Sequence, residues 1–233
     1  MHRSKLYKSQ VGSFEATARH SITDALNALK AMPAVKFDQT VEAAFRLGID
    51  PRKSDQNVRG AVALPSGTGK SVRVAVVCDG AQAQEAKEAG ADIVGYEDLV
   101  QKIKDGFQDF DTLIATPEAM KMVRPLGRQL GPRGLMPNPK TGTVTDAVGA
   151  AVREAKAGRA EFRADRGACI HVPIGKLSFE TSALQVNFDA LADAIQKARP
   201  ASAKGTYILS CTISGTMTPG LKINLKELAK VAK

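Results

Sequence analysis

The stretch VKFDQTVEAAFRLGI, residues 35–49, alternates apolar and polar side chains over nearly its whole length. Successive side chains of a strand point to opposite faces, so this period of two predicts a long strand with one buried and one polar face. Residues 57–64, 168–174, 207–213 and 221–225 repeat the pattern in shorter form. Together these runs predict an antiparallel sheet that buries one of its faces.

Two helices are predicted to cover that buried face. Apolar residues recur at spacings of three and four over residues 13–32 and again over residues 184–198, which is the period of an amphipathic helix. Pro33 and Pro200 follow the two runs, and proline cannot continue a helix.

The middle of the chain has a different pattern. The run VRVAVVC, residues 72–78, and the shorter runs at 93–95 and 112–115 are apolar with little alternation, and helical stretches separate them. Such strands are typical of a parallel sheet that is covered by helices on both faces. A further helix is predicted over residues 145–156.

Neither end of the chain alone has enough strands to bury its helix. We therefore predict an α+β discontinuous base domain, residues 1–66 and 160–233, with an inserted α/β three-layer domain of Rossmann-like type at residues 67–159. Two linkers would join the domains and would permit hinge motion.

The charge of the chain is concentrated in the predicted base domain. The chain has 33 basic and 24 acidic residues, a net charge of +9, and residues 67–159 hold 13 of the basic and 12 of the acidic ones. The flanks therefore hold 20 basic and 12 acidic residues. If the flanks fold together, they form a basic unit of the kind that binds nucleic acids. A generally basic, solvated surface is the alternative.

Several classes of protein are excluded by composition. A hydrophobic content of 43% argues against a disordered chain. No apolar run reaches the roughly 20 residues of a membrane helix, so we expect a cytoplasmic protein with no membrane partner. Cys78, Cys169 and Cys211 lack C-x-x-C spacing, so we expect no metal, disulfide framework or other cofactor.

His171, on the polar side of its strand, is either an RNA-facing group or a structural histidine.

The motif SGTGKS, residues 66–71, resembles the end of a phosphate-binding loop. The complete motif requires a glycine where Leu64 stands, and it must open a helix rather than a strand. We interpret it as a linker. A nucleotide-dependent enzyme that uses this loop and the α/β domain is the alternative function.

Two other loops could contact a nucleic acid. Residues 119–145 carry five basic residues and no acid, and they contain the run GRQLGPRGLMPNPKTG with Arg128, Arg133 and Lys140. Glycine and proline would let this loop approach a phosphate backbone, although a structural loop with its charges in water is the alternative.

In the second loop, SGTMTPG at residues 214–220, hydroxyl groups could meet ribose 2′-OH groups and Met217 could pack on a base. A simple hairpin connection is the alternative there.

Four runs resemble the bacterial large-subunit ribosomal protein L one family. They are KFDQTVE at 36–42, LGIDPRKSDQNVRG at 47–60, GPRGLMPNPK at 131–140 and IHVPIGK at 170–176. The resemblance covers nearly the whole chain in order and agrees with the split-domain prediction.

This resemblance implies a ribosomal RNA-binding protein with no catalytic residues. It implies that the base domain binds the mobile rRNA stalk near the exit site of the large ribosomal subunit and helps deacylated exit-site tRNA to leave. It also implies repression of translation through the messenger RNA of its own operon, and a monomer when the protein is free. A free-standing translational regulator is a second alternative.

The resemblance also implies an RNA-binding surface. Its residues are Lys36, Phe37 and Thr40 on the first strand, Asp165, Arg166 and His171 on the middle strand, and Thr216 and Met217 in the last loop. Thr218 stands where the family usually has glycine, so the expected close backbone approach moves to Gly220. Arg166 replaces the usual lysine and keeps its positive charge.

Overall fold

A computed structural model describes residues 3–15, 18–33 and 35–226, without the side chains of Ala81 and Lys140. The helices are α1 (Lys5–Val11), α2 (Ile22–Ala31), α3 (Ala81–Glu88), α4 (Glu97–Lys104), α5 (Met120–Val123), α6 (Gly127–Leu130), α7 (Val148–Gly158) and α8 (Thr181–Lys197). The strands are β1 (Thr40–Leu47), β2 (Arg59–Ala63), β3 (Val74–Val77), β4 (Ile93–Gly95), β5 (Thr112–Ala115), β6 (Arg159–Arg163), β7 (Cys169–Lys176), β8 (Ile208–Gly215) and β9 (Leu221–Lys222). By its internal contacts the chain divides into two compact units, Met1–Gly69 with Ala160–Lys233, and Lys70–Arg159.

The first unit is built on a four-stranded antiparallel sheet in the order β7-β1-β8-β9. Val41, Ala43, Phe45 and Leu47 of β1 are at most 2% exposed, and they point toward α2 and α8, which cover this face. Phe45 stacks on Phe188 of α8 with ring centroids 5.8 Å apart. A separate two-stranded sheet, β2 with β6, packs beside α8. The sheet therefore has one face in the core and an opposite face whose described side chains are half-buried or exposed, here called the free face.

The second unit is built on a three-stranded parallel sheet in the order β4-β3-β5. Alternate residues of β3 enter two different cores: Ala75 and Val77 pack with α4, α5 and α6, whereas Val74 and Val76 pack with α3 and α7. Both faces of this sheet are thus covered by helices, as expected for continuous apolar strands. The mixed α/β class predicted from the sequence is confirmed.

Two elements begin later than the sequence pattern predicted. The helix predicted over residues 13–32 starts at Ile22, because the Ser21 hydroxyl caps it by accepting a hydrogen bond from the N–H of Asp24 at 3.1 Å. His20, just before the cap, pairs with Ile223 as a short parallel bridge. The strand predicted from residue 35 starts at Thr40, after a bend at residues 36–37. The short helix α1 was not predicted.

Candidate nucleic-acid interface

The free face of the four-stranded sheet carries mainly small and polar side chains. Glu42, Ala44 and Arg46 of β1 point away from the core, and each lies between residues of β7 and β8. The three cross-strand rows are Pro173, Glu42, Ser214; His171, Ala44, Thr212; and Cys169, Arg46, Ser210. Because most of these side chains are short, the sheet presents a broad surface on which a folded polymer can lie.

One end of this face is closed by hydrogen bonds between β1 and the β8–β9 hairpin. The backbone N–H of Thr40 donates to the Thr216 hydroxyl oxygen at 3.1 Å, and the N–H of Met217 donates to Oε1 of Gln39 at 2.8 Å. Lys176 adds a hydrogen bond from Nζ to the Thr40 hydroxyl oxygen at 3.0 Å. Gln39 is only 2% exposed, so the hairpin is fixed from beneath by a buried side chain.

Two large apolar side chains stand in water at this end. Phe37, in the bend before β1, is 52% exposed and Met217, in the hairpin turn, is 53% exposed. Met217 belongs to the hydrogen-bonded cluster through its own N–H, which donates to Gln39, and Phe37 lies two residues before Gln39 in the chain. The prediction that Lys36 and Phe37 lie on the first strand was wrong. Both residues lie in the bend before β1, and both are exposed.

Thr218 and Gly220 shape the hairpin turn itself. The Thr218 hydroxyl oxygen accepts a hydrogen bond from the N–H of Gly215 at 2.7 Å, so the threonine closes the turn with its side chain. A Cβ at Gly220 would lie 2.7 Å from Cγ2 of Thr212. A larger residue at position 220 would therefore have to displace the Thr212 side chain on the neighbouring strand.

Asp165 and Arg166 lie at the opposite end of the sheet, in the turn between β6 and β7 rather than on the middle strand. Oδ1 of Asp165 accepts hydrogen bonds from the N–H groups of Gly167 and Cys169 at 2.8 and 2.7 Å, so this carboxylate organises the turn. The eight residues of β7 separate this turn from Lys176 by roughly 25 Å at about 3.4 Å per residue. The structure therefore groups the predicted residues into two clusters, one at each end of the sheet.

His171 lies between the two clusters. It is exposed on β7 and faces Ala44 across the strand pair. The small neighbour leaves the imidazole ring open to a ligand above the sheet. Beside the Asp165 turn, the two exposed arginines Arg163 and Arg166 line a depression of about 390 Å³ with Pro51 and Asn57.

Sequence reasoning missed three side chains of this surface. Gln39 and Lys176 hold the Thr40 end through contacts with residues far away in the sequence, and Arg46 adds a cation to the free face. The alternation in residues 35–49 places Arg46 on the polar face of the strand with Glu42, but it does not mark Arg46 as a site residue. Nothing local distinguishes Gln39 as a buried residue.

The SGTGKS segment has a structural partner. Asn187 of α8 is fully buried, accepts a hydrogen bond from the N–H of Ser66 at 2.9 Å and donates to the carbonyl oxygen of Gly67 at 2.9 Å. Lys70 pairs with Asp111 at 2.7 Å, and the strand β3 follows. The segment thus opens no helix whose free N–H groups could hold a phosphate.

The predicted basic loop is only partly a loop. Arg128 lies on α6 and Arg133 lies in the turn after it, and both are exposed. The side chain of Lys140 is outside the described residues. All three belong to the second unit, so they form no part of the sheet surface in the first unit.

The described residues offer neither a metal site nor a membrane-spanning element. Among them, no three His, Cys, Asp or Glu side chains are grouped to hold a metal ion. None of the helices in the described ranges is long and apolar enough to cross a membrane.

Burial raises the pKa of Cys211 to about 12, so this core cysteine stays a protonated thiol.

Comparison with known proteins identifies the family. A profile of the Ribosomal protein L1p/L10e family matches residues 29–219. The chain is also 55% identical over 226 residues to the protein named Large ribosomal subunit protein uL1 from Saccharophagus degradans, covering 97% of this chain and 96% of that protein. A ribosomal constituent has no catalytic step to perform, so the nucleotide-dependent enzyme is not supported. The chain belongs to the Ribosomal protein L1p/L10e family and is a constituent of the large ribosomal subunit.

Proposed function

We propose that the free sheet face of the first unit binds the mobile stalk of the large-subunit rRNA near the exit site. The observation that carries this proposal is the pair Phe37 and Met217, which expose about half of their surfaces beside the hydrogen-bonded cluster of Thr40 and Thr216. Proteins recognise folded RNA by stacking unpaired bases on apolar side chains and by contacting 2′-OH groups. This end of the sheet offers both kinds of group on a fixed backbone.

The other predicted residues divide by chemistry. Lys36 and Arg166 are exposed cations at the two ends of the sheet, where they would neutralise phosphates. His171, between them, would hydrogen-bond a sugar or a base. Asp165, Thr218 and Gly220 hold the two turns in shape, so their contribution to RNA binding is indirect.

We propose that the two units act as a discontinuous base domain, residues 1–66 and 160–233, and an inserted domain, residues 67–159. The base domain would provide the rRNA contact. The protein would be a monomer when free and would help deacylated tRNA to leave the exit site. Ribosomes assembled without the chain should then retain deacylated tRNA longer, and the free protein should sediment as a monomer.

The same surface would bind a similar element on the messenger RNA of its own operon and so repress translation. Because one surface would serve both RNAs, they must compete. A leader RNA from the operon should displace the rRNA stalk, and Met217→Ala should weaken both complexes alike. A free-standing regulator would differ by failing to sediment with large ribosomal subunits.

The decisive experiment is a fluorescence-anisotropy titration of the full chain with a stalk rRNA fragment. Phe37→Ala and Met217→Ala should each weaken binding by about 1–3 kcal/mol, the range for loss of a side chain that packs on a base. Val186→Ala is the matched control, because Val186 is 49% exposed on α8, which covers the other face of the sheet. Unchanged affinity in both sheet variants would remove the proposal.

A further inference from the structure

The segment Met120–Leu130 of the second unit forms a nearly continuous helical rod. It consists of α5, one 3-10 turn at Arg124–Leu126, and α6. The backbone stays right-handed through both junctions, with φ and ψ of −53° and −42° at Arg124 and of −55° and −28° at Gly127. Val123, Leu126 and Leu130 are at most 3% exposed and fix which side of the rod faces the core.

The outer side of this rod is cationic. Lys121, Arg124 and Arg128 are exposed and recur at spacings of three and four, so they share the outer side of the rod. Arg133 is exposed in the turn that follows. We call these four residues the cationic row. The sequence has no acid between Glu118 and Asp146, although Glu97 and Asp98 of α4 line a depression with Met122 and Pro125 of the rod.

The cations of this unit are only partly paired. Ion pairs with carboxylates hold Lys70, Arg73, Lys156 and Arg159. The exposed Lys87, Lys102, Lys104 and Arg153 form none among the described residues, but the cationic row groups its members on one short segment. Within the described part of the chain, no member of the cationic row forms an ion pair. Like charges at this helical spacing repel one another, and a ligand with repeated negative charges would relieve the repulsion.

We propose that the cationic row is a second RNA-binding surface, which takes a phosphate backbone without reading its sequence. Three of its four cations are arginines, whose planar guanidinium groups match phosphate geometry. Gly134 lies exposed beside Arg133 with open space at its Cβ position, so a backbone can approach there.

A protein partner fits this surface less well. Protein interfaces are anchored by buried aromatic or apolar side chains. The large apolar side chains exposed among the described residues are Phe37, Val186, Leu209 and Met217, and all four belong to the first unit. The cationic row thus offers charge without an apolar anchor, which suits a polyphosphate chain.

The test compares two double variants of the full chain. Arg124→Gln/Arg128→Gln removes two charges from the cationic row, and the control Lys87→Gln/Arg153→Gln removes two exposed charges from α3 and α7, which pack on the other face of the same sheet. Both variants change the net charge equally. The probes are a labelled RNA duplex of arbitrary sequence and a polyglutamate chain of matched charge.

We expect the cationic-row variant to bind the duplex about tenfold more weakly, and the slope of log K against log salt to fall by about 2, one for each phosphate contact. The control should keep the wild-type slope. Equal losses in both variants would show a net-charge effect and overturn the proposal. Unchanged duplex binding in the cationic-row variant would also overturn it, as would polyglutamate bound as tightly as RNA.

Discussion

The buried amide of Asn187 should stabilise the first unit more than any exposed polar contact of α8. Asn187 is fully buried among the apolar residues of α8. Its Oδ1 accepts a hydrogen bond from the N–H of Ser66 at 2.9 Å, and its Nδ2 donates to the carbonyl oxygens of Gly67 and Ile174 at 2.9 and 2.8 Å. The perturbation is Asn187→Leu, which keeps the side-chain size and removes all three bonds.

The expected loss follows from these three bonds. The three bonds are together worth about 3 kcal/mol net, and the carbonyl oxygen of Ile174, the buried partner, adds about 1 kcal/mol when it loses this donor. Leucine returns roughly half a kcal/mol through its better helix propensity. We therefore expect the free energy of unfolding to fall by roughly 3–4 kcal/mol.

Urea unfolding followed by circular dichroism measures this loss. With a slope of about 2 kcal/mol per molar urea, the midpoint should fall by about 1.5–2 M. The amide of Ser66 should also exchange faster with solvent, because its acceptor is gone. Asn27→Leu is the control, since Asn27 is exposed on α2 and its Oδ1 accepts a hydrogen bond from the Thr181 hydroxyl at 3.1 Å. This substitution should cost less than about 1 kcal/mol. Equal midpoints for the two variants would refute the reasoning.

Three further predictions concern the hairpin and the strand that leads to it. Thr218→Val removes the acceptor for the N–H of Gly215 and should weaken binding to the stalk rRNA by about 1 kcal/mol in titration, whereas Thr218→Ser should not. Gly220→Ala places a Cβ 2.7 Å from Cγ2 of Thr212 and should lower stability by about 1–3 kcal/mol in thermal unfolding. Tyr207 has a buried hydroxyl without a hydrogen-bond partner among the described residues, so Tyr207→Phe should be as stable as the wild type or more so. Burial raises the pKa of Tyr207 to about 12, above its ordinary value of about 10. The wild type should therefore lose stability relative to Tyr207→Phe as pH rises from about 10 toward 12, and the alkaline unfolding curves of the two proteins should diverge in that range.

The periodic elements could be predicted from the sequence because their signal is local. The alternation in residues 35–49 placed Val41, Ala43 and Phe45 in the core, and all three are fully buried. The pattern failed where hydrogen bonds override periodicity. Phe37 has the parity of a core residue but lies exposed in a bend, and the cap at Ser21 stops a helix that the apolar spacing would have extended.

The hydrogen bonds that hold the site in place could not be predicted, because the residues that form them are far apart in the sequence. Gln39 bonds to Met217, which lies 178 residues away, and Asn187 bonds to Ser66, which lies 121 residues away. Each side chain looks like an ordinary polar residue in its own segment. Only the register of β1 against β8 brings Gln39 under the hairpin turn.

These long-range bonds would also favour firm RNA binding at the proposed site, because they fix a surface that is made of loops. Three separate segments meet at the Thr40 end: Leu177 donates its N–H to the Gln39 carbonyl at 2.8 Å, the Ser178 hydroxyl donates to Asp38 at 2.8 Å, and the hairpin is bonded to Gln39 as described. Ordering a loop during binding costs free energy that would otherwise appear as affinity. The bend that carries Phe37 and the turn that carries Met217 are already held in the free protein. The free energy needed to order them is therefore part of folding and does not reduce the affinity for RNA. If the proposed site binds RNA, variants that loosen these bonds should therefore weaken the complex by making binding order the loops again.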